Sequence, residues 1–228
     1  LCGSVSSYMV KHLIHSKALH NRKTLELCLN PLSPKESGAF ITERGTWEKA
    51  QLYMVLGGVP KYLEQINPYE SIEKNINRLC FTKNGFFINE FETLFKEQFS
   101  ATKTYQTIIK KLALGSHSLS TLARATHSIR GGGLQEYLNN LVRAQLVREY
   151  APINLKGGIK TRTKIYKLAD PFVRFYLRYM APNQTLIRLN THENIFRSIT
   201  QNSLPAYWGL SFEQLCEDAY REIHATVK

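Results

Sequence analysis

A change of hydrophobic period near the middle of the chain constrains its fold more than any other feature. From 104 to 144 apolar residues recur at helical spacing. Ile108, Ile109, Leu112 and Ala113 lie on one stripe, a short second helix fits 119–125, and Leu134, Leu138, Leu141 and Val142 keep the period in a third. The period then changes. LVREYAPI and TKIYKL are β-like runs, and the link between them, NLKGGIKTR, carries a glycine pair and three basic residues.

Three helices followed by a hairpin with a basic, glycine-containing tip is the order of a winged helix-turn-helix. Charge points the same way. Between 104 and 168 stand eleven Lys or Arg against two acids, Glu136 and Glu149. That stretch carries nine of the twelve net positive charges in under a third of the length. Residues 1–103 contribute +3 and residues 169–228 are balanced. A basic excess focused on one helical module is the footprint of a phosphate-backbone binder. The alternative is a protein–protein packing or oligomerisation module with a solvated basic face and no DNA binding.

Within this module SIRGGGLQEYLNNLVRAQ (128–145) is the helix expected in the major groove, its N-terminal residues nearest the DNA. Arg130 and Gly132 lie at that start, where glycines permit close approach and backbone N–H groups can meet a phosphate. Gln135, Asn139 and Arg143 fall on one face, suited to base edges or phosphates. Lys156, Lys160, Arg162 and Lys164 of the wing are candidates for phosphate or minor-groove contact. The provision favours backbone positioning over sequence readout, so duplex DNA bound with weak specificity is the expected partner.

Composition sets outer bounds. At 228 residues one or two domains is the prior, and 43% apolar with 21% charged residues is ordinary for a soluble chain. No apolar run approaches the length of a membrane span, and no charged-then-apolar leader opens the chain. Cys2, Cys28, Cys80 and Cys216 lie far apart with no ligand spacing, which suggests reduced thiols, a cytoplasmic setting and no metal site. The start on LCGSVSSYMV reads as the end of a buried strand entering a helix, hence as an internal piece of a longer protein. TLELCLNPLS (24–33) reads as another strand running into a proline turn.

Residues 34–99 read as helical. Ser33 or Ser37 is a cap for a first short helix, and Thr46-Trp47-Glu48 opens the next. In LGGVPKYLEQI (56–66) the glycine pair ends one helix and Pro60 starts another, with Leu56, Val59, Tyr62 and Leu63 packing the joint. Further helices fit 71–80 and 89–99. The Phe86, Phe87, Phe91, Phe95, Phe99 series reads as core rather than as a base-stacking platform. Asp170-Pro171 opens an aromatic-rich helix, and the last stretch, 207–228, forms an amphipathic helix with Phe212, Leu215 and Cys216 inward.

Several of these runs, taken in order, resemble one family. GSVSSYM followed by SKALHNRKTLELCLNPLS is similar to the end of the ATPase core in prokaryotic AAA-type ATPases that carry a C-terminal winged helix and a restriction-endonuclease-like domain. LGGVPKYL resembles that family's helical-lid motif. KLADPFVRFYLRYM resembles its wing-to-C-terminal connector, and GLSFE the opening of its nuclease-like domain. The resemblance implies a mainly α chain in four parts: the end of an α/β ATPase core (1–33), a helical lid (34–100), a winged helix (101–170), and a linker helix with the start of the nuclease-like domain (171–228). It implies Ser4 at sensor 1 and Arg22 as a nucleotide-phosphate arginine, although His20-Asn21 replaces the usual aromatic-Gly pair. Glu213 matches the first-helix glutamate of the nuclease-like fold, a metal ligand there.

Neither a G-x-x-x-x-G-K-[ST] loop nor a strand ending in paired acids is present. The resemblance therefore assigns ATP and Mg2+ to the full-length parent and no cofactor to this stretch. It also implies a homo-oligomer through the ATPase core, no membrane, and a DNA-binding module coupled to nucleotide state through the lid, with LGGVP as hinge.

Overall fold

A computed structural model describes residues 24–25, 27, 29–126, 133–151, 153–154, 158–159, 164–189 and 194–226. The fold is mainly α. Its elements form two compact units, one built on Glu92–Asp170 and the other on Leu29–Phe91 with Pro171–Lys228.

The first unit takes in most of α5 (Glu90–Gln98), then α6 (Thr102–Leu112), β1 (His117–Ser118), α7 (Leu119–Ala125), α8 (Gly133–Arg143), β2 (Val147–Tyr150) and β5 (Ile165–Leu168), with a short pair, β3 (Ile153–Asn154) and β4 (Gly158–Ile159), between the last two. The stripes expected from the sequence are the buried ones. Ile108 and Ile109 of α6, Leu122 of α7, and Leu138 and Leu141 of α8 are wholly buried. Ser118 caps α7 by accepting from the Thr121 N–H at 3.2 Å, which satisfies an otherwise orphaned first-turn donor.

All pairings in the sheet are antiparallel, in the order β1–β5–β2. Val147 stands opposite Leu168 and Glu149 opposite Tyr166. Because side chains alternate, this register turns Val147, Tyr166 and Leu168 into the core. β3 and β4 pair with Ile153 opposite Ile159. The Ala169 N–H donates to the Leu146 carbonyl at 2.9 Å and closes the ladder beyond β2. Phe99 stacks on Tyr105 with ring centres 4.1 Å apart, and Tyr137 meets Tyr105 edge-on at 4.9 Å, joining α8 to α6.

The second unit is helical: α1 (Pro34–Phe40), α2 (Thr46–Leu56), α3 (Pro60–Leu63), α4 (Ile72–Cys80), α9 (Pro171–Phe175), a π turn (Tyr176–Met180), a 3-10 turn (Ala181–Asn183), α10 (Gln184–Leu189), α11 (Ile195–Thr200) and α12 (Leu204–Thr226). Ser33 forms a capping box with Glu36, and Ser71 caps α4. Aromatic rings fill the interior. Phe81, Phe87, Phe172 and Phe175 are wholly or almost wholly buried, and Phe91 stacks on Tyr176 at 4.4 Å.

The glycine pair shows why LGGVP needs its sequence. Gly57 has φ +70°, in the left-handed region, and a Cβ there would stand 3.2 Å from Pro171 Cδ. At Gly58 a Cβ would lie 1.9 Å from the Leu32 carbonyl oxygen, whose residue also donates its N–H to the Gly58 oxygen at 2.7 Å. The turn is clamped on two sides within one unit. Leu56, Tyr62 and Leu63 are buried there and Val59 is half-buried.

Two expectations are corrected. The described residues of 24–33 lie in no strand, and Leu25, Leu27 and Leu29 are 73–80% exposed. No described strand pairs with them, and a lone extended segment has no ladder to hold it. The stretch after 171 packs into the same unit as 29–91, with α9 and α12 against α2 and α11 against α4. Finally, α12 begins at Leu204 and buries Tyr207, Ser211, Gln214 and Ala219, leaving Phe212 45% exposed and Leu215 and Cys216 half-buried. The Tyr207 hydroxyl donates to the Met54 carbonyl at 3.0 Å and Arg174 donates to Gln214, which together fix the rotation of α12. The expected strand at 1–4 and helix at 6–15 lie outside the described residues.

Candidate nucleic-acid interface

The helical repeat puts Gln135, Asn139 and Arg143 one turn apart on α8, while Leu134, Leu138 and Leu141 are buried on the other side. Asn139 and Arg143 are exposed and Gln135 is half-buried. The reason is a bond across the seam between α8 and the sheet. The Gln135 side-chain amide donates to the Tyr166 hydroxyl at 3.1 Å and to Asn139 Oδ1 at 2.9 Å. A longer contact of 3.4 Å joins the same hydroxyl to Gln135 Oε1. Gln135 thus supports the helix face, and Asn139 and Arg143 form it.

Tyr166 has a wholly buried ring whose oxygen reaches this seam. Burial raises its phenol above the ordinary range; the Gln135 bond opposes this, and the Glu149 carboxylate on the facing strand pushes the same way as burial. Glu149 also holds Lys164, with Nζ 2.9 Å from Oε1. That contact raises the lysine pKa further and keeps it charged. Lys164 is therefore at the sheet as expected for a wing lysine, but a carboxylate already partners it. On the inner side of α8, Asn140 donates to the Tyr105 hydroxyl at 2.8 Å. Burial raises the Tyr105 phenol as well.

Other cations of the module lie on its helices. Lys110 is exposed and Lys111 half-exposed in the last turn of α6, and Arg124 is exposed in the last turn of α7. A helix C-terminus attracts cations whatever they contact, so these positions add field without selecting a ligand. Arg130, Gly132, Lys156, Lys160 and Arg162 lie outside the described residues, as do Ser4 and Arg22. Glu213 is exposed on α12, and no group of three or more metal-ligating side chains occurs among the described residues.

The sequence reading missed Tyr166 and Glu149. Their signal was present in the alternation of VREY and IYKL, but only the register between those strands makes them neighbours. It also missed an exposed aromatic group on the second unit, where Trp47 and Phe212 lie 6.5 Å apart beside Trp208. Among the described residues no helix is long and apolar enough to cross a membrane.

Comparison with known proteins adds one relative. The chain is 28% identical over 228 residues to an uncharacterized protein of Methanocaldococcus jannaschii, an alignment covering 98% of this chain and 49% of the relative. The chain thus spans about half the length of that protein. No protein-family model matches the chain, and no solved structure matches it.

Proposed function

We propose that the unit built on 92–170 is a winged helix that binds duplex DNA mainly through its phosphate backbone, with weak sequence specificity. The observation that carries this reading is the coincidence of topology and charge. The order α6, β1, α7, α8, β2, β5 with sheet order β1–β5–β2 is the order expected of a winged helix, with β2 and β5 in the place of the wing. Residues 104–168 hold nine of the chain's twelve net positive charges. In the full-length protein this module would stand beyond an AAA-type ATPase core that binds ATP and Mg2+ and forms the homo-oligomer. The helical unit would serve as lid, and its C-terminal part would lead to the nuclease-like domain. The family resemblance of LGGVPKYL and KLADPFVRFYLRYM, together with a relative about twice as long, supports that larger frame.

Fluorescence anisotropy with a random-sequence duplex across a salt series tests the proposal. Binding should weaken linearly on a log–log plot, with a slope of about one unit per phosphate contact. Changing Lys156, Lys160, Arg162 and Lys164 together to Ala should flatten that slope and weaken binding uniformly across sequences. No binding at low salt, despite a net charge of +12, would leave the packing or oligomerisation module as the correct account.

A further inference from the structure

An asparagine reads a base only when its planar amide is held the right way round. Left to rotate, it offers donor and acceptor interchangeably, and ordering it on binding costs affinity. At Asn139 the orientation is set by a chain of side chains that crosses from α8 to the wing strands. Lys164 Nζ lies 2.9 Å from the Glu149 carboxylate. Glu149 faces Tyr166 across the β2–β5 ladder. The Tyr166 oxygen in turn accepts one N–H of Gln135 at 3.1 Å, and Gln135 donates to Asn139 Oδ1 at 2.9 Å. The Gln135 amide nitrogen therefore donates to both its neighbours and ties Asn139 to the Tyr166 hydroxyl.

The end of this chain is specific. With Oδ1 held by Gln135, the Asn139 Nδ2 group has no partner among the described residues. The residue is exposed on the outer face of α8, and Oδ1 keeps a second lone pair. One outward donor and one outward acceptor in a fixed plane match adenine in the major groove, where N7 accepts and the N6 amino group donates. Guanine offers two acceptors at that edge, cytosine a lone donor, and thymine an acceptor beside a methyl group, so each leaves part of the amide unpaired. Asn140, the neighbouring amide, is already engaged with Tyr105.

We propose that Asn139 is the base-reading residue of α8 and selects adenine at one position of an otherwise weakly specified duplex, with Gln135 and Tyr166 as its positioning residues. This rests on the reading of 92–170 as a DNA-binding winged helix. The 228-residue chain is used to select from a randomised duplex pool, and affinity is then measured on the selected duplex and on versions with one base pair changed.

Wild type should prefer adenine at one position by about 10-fold. Asn139→Ala should reduce that preference to less than about 2-fold while leaving the salt slope unchanged, because an uncharged amide releases no counterions. Tyr166→Phe keeps the buried ring and removes only the hydroxyl, so its thermal melt should stay cooperative while the preference falls. Salt-dependent binding without an adenine preference, or a preference that survives Asn139→Ala, overturns the inference and leaves the DNA-binding reading standing. A preference unaffected by Tyr166→Phe overturns the positioning role. Absence of duplex binding at low salt overturns both readings.

Discussion

The two units solve the problem of stability with different materials. The helical unit is held by interlocked aromatic rings, with Tyr62, Phe87 and Phe172 in mutual edge or tilted contact and Phe175 meeting Phe196, Tyr179 and Tyr207. The unit on 92–170 combines buried aliphatic side chains with a smaller ring group, Phe95, Phe99, Tyr105 and Tyr137, and has polar side chains at the seam between α8 and the sheet. Its helix face and its sheet are joined by the bond from the Gln135 amide to the Tyr166 hydroxyl. A ring cluster holds helices in register and offers little to a ligand. A seam of amides and carboxylates costs more to satisfy but leaves oriented donors and acceptors at the surface. The first unit therefore leaves oriented polar groups at its surface, and the second buries more of the aromatic rings.

The largest effect is expected where that packing is broken. Phe175→Ala removes a wholly buried ring and should cost roughly 3–5 kcal/mol of stability, measured by denaturant unfolding. The salt slope of DNA binding by the folded fraction should not change. Next comes the clamped turn. Gly58→Ala places a methyl group 1.9 Å from the Leu32 carbonyl and should destabilise by about 3 kcal/mol. Gly57→Ala, with a positive φ and a looser 3.2 Å contact to Pro171, should cost roughly 1–2 kcal/mol. If Gly57 proves the more sensitive of the two, the Leu32 clamp is not what the glycine pair serves.

A smaller effect should sharpen the other side of the comparison. Glu149→Gln keeps the shape of the side chain but removes the charge that holds Lys164, so duplex affinity should rise a few-fold. The salt slope should steepen by at most about one unit. An unchanged slope would mean that Lys164 takes no part in phosphate contact. The smallest effect concerns pH and reactivity. Burial pushes the Cys80 thiol far up, so it stays protonated and should resist alkylation in the native protein, becoming labelled only on unfolding. Tyr105 and Tyr166 are shifted upward too. In each case the unfolded chain releases its proton first as pH rises. Stability should therefore hold at neutral pH and fall as pH climbs past the ordinary thiol range, and again above about pH 10 for the phenols.

How far the sequence announces these features depends on how local they are. The helix at 119–125 was legible to the residue, because a serine cap and a short stripe are encoded within one turn of the chain. Leu138 and Leu141 were legible for the same reason. β1 was not, since two residues carry no alternation and only pairing with β5 makes them a strand. Phe212 looked inward on a helical wheel. The Tyr207 bond to Met54 and the Arg174 bond to Gln214, from residues distant in sequence, turn it out. The candidate site divides in the same way. Gln135, Asn139 and Arg143 were placed on one face by spacing alone. That Gln135 serves the interior while Asn139 faces out depends on Tyr166, which lies 31 residues away.

The most direct test of the account is hydrogen–deuterium exchange of the 228-residue chain with and without a duplex at low salt. The account predicts that added protection concentrates in peptides from 128–168, covering α8 and the wing, and that peptides from 46–63 and 204–220 exchange as before. Protection centred instead on the exposed aromatic face of Trp47, Trp208 and Phe212, or none anywhere, would contradict it.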